Sequence, residues 1–494
     1  MDVAARTEKL TPEVREFLAE PKKLLIDGQW VDAASGRTFA SVDPTTGKDL
    51  VEVQFAGEED VRRAVTAARA AFEDGRWSQL DPRKRAKVLY SIADGIEAGM
   101  ASIGQLDVLD NGKPFAFATG EVYHAASVFR YFAGLADKIF GETNPTEPGR
   151  FIYTLREPVG VCAQVIPWNF PSAMVAWKLG PALAFGNTVV LKPAEETPLE
   201  ALWIAKLAQE AGLPDGVLNV LTGDGETTGA ALVRHPEIDK IAFTGSTEVG
   251  RLMLQAASTN MARVTLELGG KSPNVVFPDA DFTQAIPQAA FGIFFNSGQM
   301  CTAASRLLVQ RDAHDEFVEQ LTAAAGAWKV GDGLEDGTLV GPLVSKQQFD
   351  RVSSYLEIGA SEAEVRIGGS PVAGTDGFFV EPTIFTGVQP SMRIAQEEIF
   401  GPVLSVLTFD DVDDAIRIAN DTTYGLAAAV WTKDLSVAHK VARGIRAGTV
   451  WVNTYGVNDA GAPTGGFKNS GFGRELGIHA AEAYTELKTV WMQL

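Results

Sequence analysis

Cysteine is nearly absent: Cys162 and Cys301 are the only two in 494 residues. They lie far apart with no paired spacing, which argues against a disulfide framework and against a cysteine-based zinc site. The five histidines, His124, His235, His314, His439 and His479, are scattered, so no metal cluster is expected. Long hydrophobic runs are missing too. The most apolar region, Val159 to Leu191, is interrupted by Pro, Gly, Asn and Lys and fits no bilayer span. Positive charge is scarce: 43 Lys and Arg against 63 Asp and Glu give a net charge of −20. That balance argues against nucleic acid and anionic membranes as partners. The N-terminal M-D-V-A-A-R-T-E-K-L has no apolar signal-peptide core, so the expected location is cytoplasmic.

What is present is an ordinary globular composition, 46% hydrophobic and 21% charged, in a chain long enough for two or three domains. Residues 57 to 139 carry apolar positions at helical spacing. From Val159 short β-branched runs alternate with amphipathic helices: G-V-C-A-Q-V-I, N-T-V-V-L-K, V-L-N-V-L-T, K-I-A-F-T-G and R-V-T-L-E-L are the strands. Such alternation predicts parallel strands with crossover helices, a doubly wound α/β sheet. A second series starts at Pro273, with P-N-V-V-F, R-L-L-V-Q, P-V-L-S-V-L-T-F and G-T-V-W-V-N, and Gly269-Gly270 sits at the joint. R-F-I-Y-T-L-R-E-P and the C-terminal T-E-L-K-T-V-W-M-Q-L look extended but belong to neither series. Exposed strands of that kind usually pair with something, another subunit being one choice.

Three stretches invite a chemical reading. Gly223 to Gly229 follows a strand and opens a helix, yet its third glycine comes one residue late for a dinucleotide fingerprint. F-T-G-S-T-E-V-G, Phe243 to Gly250, is better placed: a strand, Gly245, then Ser246 as a cap. A helix start suits a phosphate, although the same residues serve equally as an ordinary Ser-capped helix. F-F-N-S-G-Q-M-C-T-A-A-S-R, Phe294 to Arg306, puts Cys301 among small polar residues after an apolar run. A free cysteine is usually an inert buried hydrophobe. This setting instead lets the sulfur reach a cleft.

Seven motifs, in order, resemble those of the aldehyde dehydrogenases. They are P-W-N-F-P (Pro167 to Pro171), L-K-P-A-E (Leu191 to Glu195), F-T-G-S-T-E-V-G, L-E-L-G-G-K-S-P (Leu266 to Pro273), G-Q-M-C (Gly298 to Cys301), E-E-I-F-G-P-V (Glu397 to Val403) and F-K-N-S-G-F-G-R-E-L-G (Phe467 to Gly477). The resemblance runs from about residue 20 to the end. It implies a Rossmann-like NAD-binding domain (1–139 and 159–264), an α/β catalytic domain (265–479), and a small β oligomerisation extension (140–158 and 480–494). It also implies a homodimer or homotetramer, a small-molecule aldehyde as substrate, and no metal.

The resemblance implies roles as well. Cys301 matches the nucleophile that forms a thiohemiacetal and then a thioester. Its site must lower the thiol pKa or supply a base. Asn169 matches the oxyanion donor, and Glu267 the general base that activates water. Acyl-CoA-forming relatives lack that base, so Glu267 favours release of the free acid. For the cofactor, the implied residues are Ile166, Trp168, Lys192, Glu195, Gly225, Gly229, Gly245, Ser246, Leu268, Glu398 and Phe400. A carboxylate at Glu195 favours NAD over NADP. The implied substrate pocket comprises His124, Phe170, Met174, Trp177, Phe295, Met300, Thr302, Asn458 and Thr464. Trp177 stands where semialdehyde oxidisers commonly carry Arg, which favours an aliphatic or aromatic aldehyde. Asn458 and Thr464 stand where many relatives are aromatic, and His124 where an apolar residue is frequent, so the pocket is expected to be wider and more polar on one side. The alternatives are an acyl-CoA-forming or semialdehyde dehydrogenase, or a catalytically silent structural relative.

Overall fold

The computed structural model describes residues 3–494. The expected helices between 57 and 139 form as Glu58–Glu73, Pro82–Ala98, Met100–Asp110 and Phe115–Leu135. Asp81 caps the second of these by accepting from the Arg83 N–H, with Pro82 in the first turn, where a missing donor costs nothing.

The β-branched runs after Val159 form five neighbouring parallel strands, in the order Arg263–Glu267, Lys240–Thr244, Val161–Val165, Thr188–Lys192 and Leu218–Val220. Gly471–Phe472 pairs antiparallel to one edge, and Leu24–Ile26 with Gln29–Val31 extends the other into an eight-stranded sheet. Val161–Val165 and Thr188–Lys192 are buried throughout, as strands covered on both faces must be. The chain leaves Val161–Val165 in one direction and later returns on its other side at Lys240–Thr244. Outside the carboxyl ends of strands at such a switch, doubly wound sheets bind their ligands.

The second series forms a seven-stranded sheet, ordered Glu364–Ile367, Thr383–Thr386, Val403–Phe409, Arg306–Gln310, Pro273–Val276, Ala427–Trp431 and Thr449–Val452. Only the pair at the first edge is antiparallel. The two extended pieces left outside both series pair with each other. Arg150–Pro158 and Thr485–Gln493 run antiparallel over their full length, from Thr485 opposite Pro158 to Gln493 opposite Arg150, and Thr143–Asn144 makes a third strand. Leu487, Trp491 and Met492 remain exposed there. Among the described residues no helix is long and apolar enough to cross a membrane, and no group of three or more His, Cys, Asp or Glu could hold a metal ion.

Candidate active site

Three joints between strand and loop deliver the site. Val165 leads to Ile166–Phe170, Thr244 to Gly245 and Ser246, and Glu267 to Leu268–Gly270. They open on a cavity of about 420 Å³ lined by Trp168, Asn169, Phe170, Met174, Gly245, Ser246, Leu268, Cys301, Glu398 and Phe400, all expected from the sequence. Glu196, Ser345, Gln348 and Arg351 line it as well and were not foreseen.

Cys301 is fixed by an unusual backbone. After helix Phe282–Phe294, Asn296, Ser297 and Gly298 all take positive φ, at 50°, 55° and 71°. Such strain persists only where the surroundings enforce it. Here the Asn296 amide donates to the Asn169 carbonyl at 2.8 Å, and Ser297 Oγ donates to the Gly341 carbonyl at 2.8 Å. Asn169 Nδ2 in turn donates to the Gln299 carbonyl at 2.9 Å, which ties the Asn169 turn to the cysteine loop and leaves its second amide hydrogen free. At the joint Gly270 is required by close approach to backbone, whereas Gly269 meets only the end of a side chain. A Cβ on Gly270 would lie 2.3 Å from the Cys301 carbonyl oxygen, and one on Gly269 2.2 Å from Glu398 Oε2.

The electrostatics differ from one expectation. The site does not lower the thiol: burial, then the charges of Glu398 and Glu267, push Cys301 up to about 12. Glu267 is 7% exposed and its Oε1 has no hydrogen-bond partner. Burial and neighbouring Glu475 push its carboxyl well above the usual range, against the pull of Lys178 and Arg474. Lys178, fully buried, pairs with Glu475 and donates to Thr244 Oγ1 at 2.7 Å. The sequence signal for this neighbourhood was a lone lysine in the apolar helix Pro171–Ala184.

The other expected residues fall into three places. Ser246 caps helix Thr247–Ala257 by accepting from the Val249 N–H at 3.2 Å, so the capping reading holds while the same residue faces the cavity. Glu398 Oε1 accepts from the Gly270 N–H at 2.9 Å, and burial pushes its carboxyl up to about 7. Phe400, at φ 61°, meets the Trp168 ring edge-on at 5.3 Å. Outside the cavity lining, Ile166 N–H donates to the Lys192 carbonyl at 3.1 Å, and Lys192 pairs with Glu195. Asp224 caps a wide turn, Gly225–Gly229, whose last glycine lies beside the Lys192 stem.

Of the residues expected to form the substrate pocket, Phe170 and Met174 line this cavity and the others do not. Phe295 stacks on Phe170 at 6.1 Å and on Phe291 at 4.8 Å, and meets Phe117 edge-on at 4.8 Å. Phe291 and Phe117 were not foreseen. Trp177 Nε1–H donates to His124 Nε2 at 3.0 Å. Burial lowers the His124 pKa, so the ring accepts as the neutral form. Met300 is buried and Thr302 half-buried, its carbonyl accepting from Tyr455. Thr464 exchanges backbone hydrogen bonds with Glu475, and Asn458 is exposed on the loop before it.

The aldehyde dehydrogenase family model matches residues 30–490. This chain belongs to the aldehyde dehydrogenase family. An aldehyde dehydrogenase of Aspergillus niger is 51% identical over 96% of each chain. The human mitochondrial aldehyde dehydrogenase is 49% identical over 96% of this chain and 92% of its own. Among solved structures, an NAD+ complex of aldehyde dehydrogenase from Bacillus cereus superposes with a TM-score of 0.97 at 48% identity, covering 98% of this chain and 99% of that one. An indole-3-acetaldehyde dehydrogenase complexed with NAD+ gives a TM-score of 0.96 at 48% identity, covering 99% of each chain. The aldehyde dehydrogenase fold thus extends over nearly the whole chain.

Proposed function

We propose that this protein oxidises an apolar, aliphatic or aromatic aldehyde to the free carboxylic acid with NAD+. The observation that carries it is one cavity that holds Cys301 and Asn169, with the unpartnered Glu267 carboxyl at the end of an adjoining strand. The cavity fits the cofactor: the N-terminus of helix Thr247–Ala257 opens into it with free backbone donors for a pyrophosphate. Glu398 and Phe400 would hold the nicotinamide end, and Lys192 with Glu195 the adenosine ribose. NAD+, when bound, supplies the hydride acceptor.

Glu267, once ionised, takes the Cys301 proton, and its raised affinity for protons makes the carboxylate a stronger base than an ordinary one. The thiolate adds to the aldehyde carbon, and the free Asn169 amide hydrogen, with the Cys301 N–H, meets the alkoxide. The thiohemiacetal on Cys301 then loses its hydride and becomes a thioester. Glu267 releases the thiol proton to solvent and, ionised again, draws a proton from water. The hydroxide attacks the thioester, the acid leaves, and the departing thiolate takes that proton back from Glu267. The wall of Phe170, Phe291 and Phe295 favours an apolar stem, and Trp177 offers no cation to a carboxylate-bearing aldehyde. In this reading residues 1–139 and 159–264 form the NAD-binding domain, 265–479 the catalytic domain, and 140–158 with 480–494 an extension that joins subunits into a homodimer or homotetramer. Two free thiols suit a reducing cytoplasm. NADH release across aliphatic, aromatic and semialdehyde substrates, with identification of the product as free acid, tests the proposal. Acyl-CoA formation or the absence of NADH would overturn it.

A further inference from the structure

Behind the Asn169 turn lies a cluster that the mechanism does not use. Asp107, Asp110 and Glu200 are 0% exposed, and Glu121 is 7% exposed. Lys113, 1% exposed, is the cation among them: it donates to Asp107 at 2.8 and 3.1 Å and pairs with Glu121. Asp110 accepts from the Leu199 N–H at 3.2 Å through one oxygen, and its other oxygen has no donor. Neither oxygen of Glu200 has one either. Four carboxylates with one ammonium cannot all stay ionised in a dry interior. Glu200 lies within hydrogen-bond reach of Asp107 and Asp110, and a proton on Glu200 supplies the missing donor.

The cluster touches the catalytic turn from both sides. Glu121 accepts from the Ala173 N–H at 3.0 Å, just after the turn. Asn111, next to Asp110, donates to the Trp168 carbonyl at 2.7 Å, just before Asn169. The Lys113 ammonium sits 4.9 Å from the centre of the Phe170 ring. We propose that the buried cluster of Asp107, Asp110, Glu121 and Glu200, closed by Lys113, positions the Asn169 turn, with Glu200 kept protonated as the donor that holds the carboxyls together. Glu200 is a positioning residue acting through Asn169, so the kinetic part rests on the oxyanion role proposed above.

Burial and then Asp110, Asp107 and Glu121 push Glu200 well above its ordinary 4.5. A carboxyl neutral when folded and ionised when unfolded makes folding take up a proton, so stability falls as pH rises from 4.5 toward the folded value. Glu200→Gln keeps a donor and removes that uptake. The melting-temperature difference between Glu200→Gln and the parent should therefore grow in favour of the variant as pH rises above 4.5. A constant difference overturns the proton assignment, and this readout stands even if the parent oxidises no aldehyde. In turnover, the parent should lose kcat at alkaline pH by about 2- to 30-fold, while Glu200→Gln retains it with KM for aldehyde little changed. Placing Glu200→Gln in an Asn169→Ala background should erase that difference. Superimposable pH profiles, or a Glu200→Gln effect that persists without Asn169, overturn the coupling. Should the variant not fold, the infrared C=O stretch of a protonated carboxyl should persist at neutral pH in Glu267→Gln, where the Glu267 carboxyl is gone, and its absence there overturns the proposal.

Discussion

Lys192 Nζ donates to Glu195 Oε2 across 3.0 Å, from a lysine side chain 3% exposed to a carboxylate side chain 42% exposed. The pair lies just past the carboxyl end of strand Thr188–Lys192. The lysine is thereby engaged by Glu195 rather than turned toward a phosphate. If the adenosine ribose lies here as proposed, a carboxylate would accept its hydroxyls and repel a 2′-phosphate, with solvent screening part of the repulsion. Discrimination for NAD over NADP of about 10-fold to 10³-fold in kcat/KM is expected. Glu195→Gln should shrink that ratio. An unchanged ratio in the variant would remove Glu195 from cofactor choice.

Cys301→Ala should abolish aldehyde oxidation while leaving NAD binding by fluorescence titration intact. Because burial and the Glu398 and Glu267 charges favour the protonated thiol, and Glu267 must be ionised to act as base, kcat/KM in the parent should first climb as pH rises from neutral, before the alkaline loss tied to Glu200 sets in. A flat profile there would mean that neither proton controls acylation.

Much of this was legible in the sequence because it is local. The parallel strands from Val161 to Glu267 are short, rich in β-branched residues and largely buried, and their loops carry the site motifs. What was not legible is non-local. Lys178 and Glu475 stand 297 residues apart, and only folding sets them beside Glu267. Glu200 reads in the sequence as one polar position of an amphipathic helix, and only packing against Asp107 and Asp110 buries it. The upward shift of Cys301 likewise depends on Glu398, nearly a hundred residues on. The strands Arg150–Pro158 and Thr485–Gln493 were seen as strands, but their pairing with each other rests on long-range register.

Deleting residues 485–494 removes the partner of Arg150–Pro158 and the exposed Leu487, Trp491 and Met492. If this extension joins subunits, the truncated chain should lose its native assembly mass in light scattering. Retention of the native mass would move the subunit contact elsewhere.

The Phe295 ring closes the stack with Phe170 and Phe291. Phe295→Ala should raise KM for an aromatic aldehyde by roughly 10-fold through lost ring contacts, while a two-carbon aldehyde is affected far less. Equal effects on both would argue that the ring supports the loop rather than the substrate.

The covalent route through Cys301 and Glu267 is tested most directly by rapid mixing of Glu267→Gln with NAD+ and aldehyde, followed by NADH absorbance. Loss of the base should slow thioester hydrolysis more than hydride loss. The predicted trace is a burst of NADH stoichiometric with Cys301, slower than the parent's because the thiol has lost its base as well, then a steady rate reduced further still, by about 10²-fold or more. Equal loss of burst and steady rate would contradict Glu267 as the base that activates water and leave it with thiol activation alone.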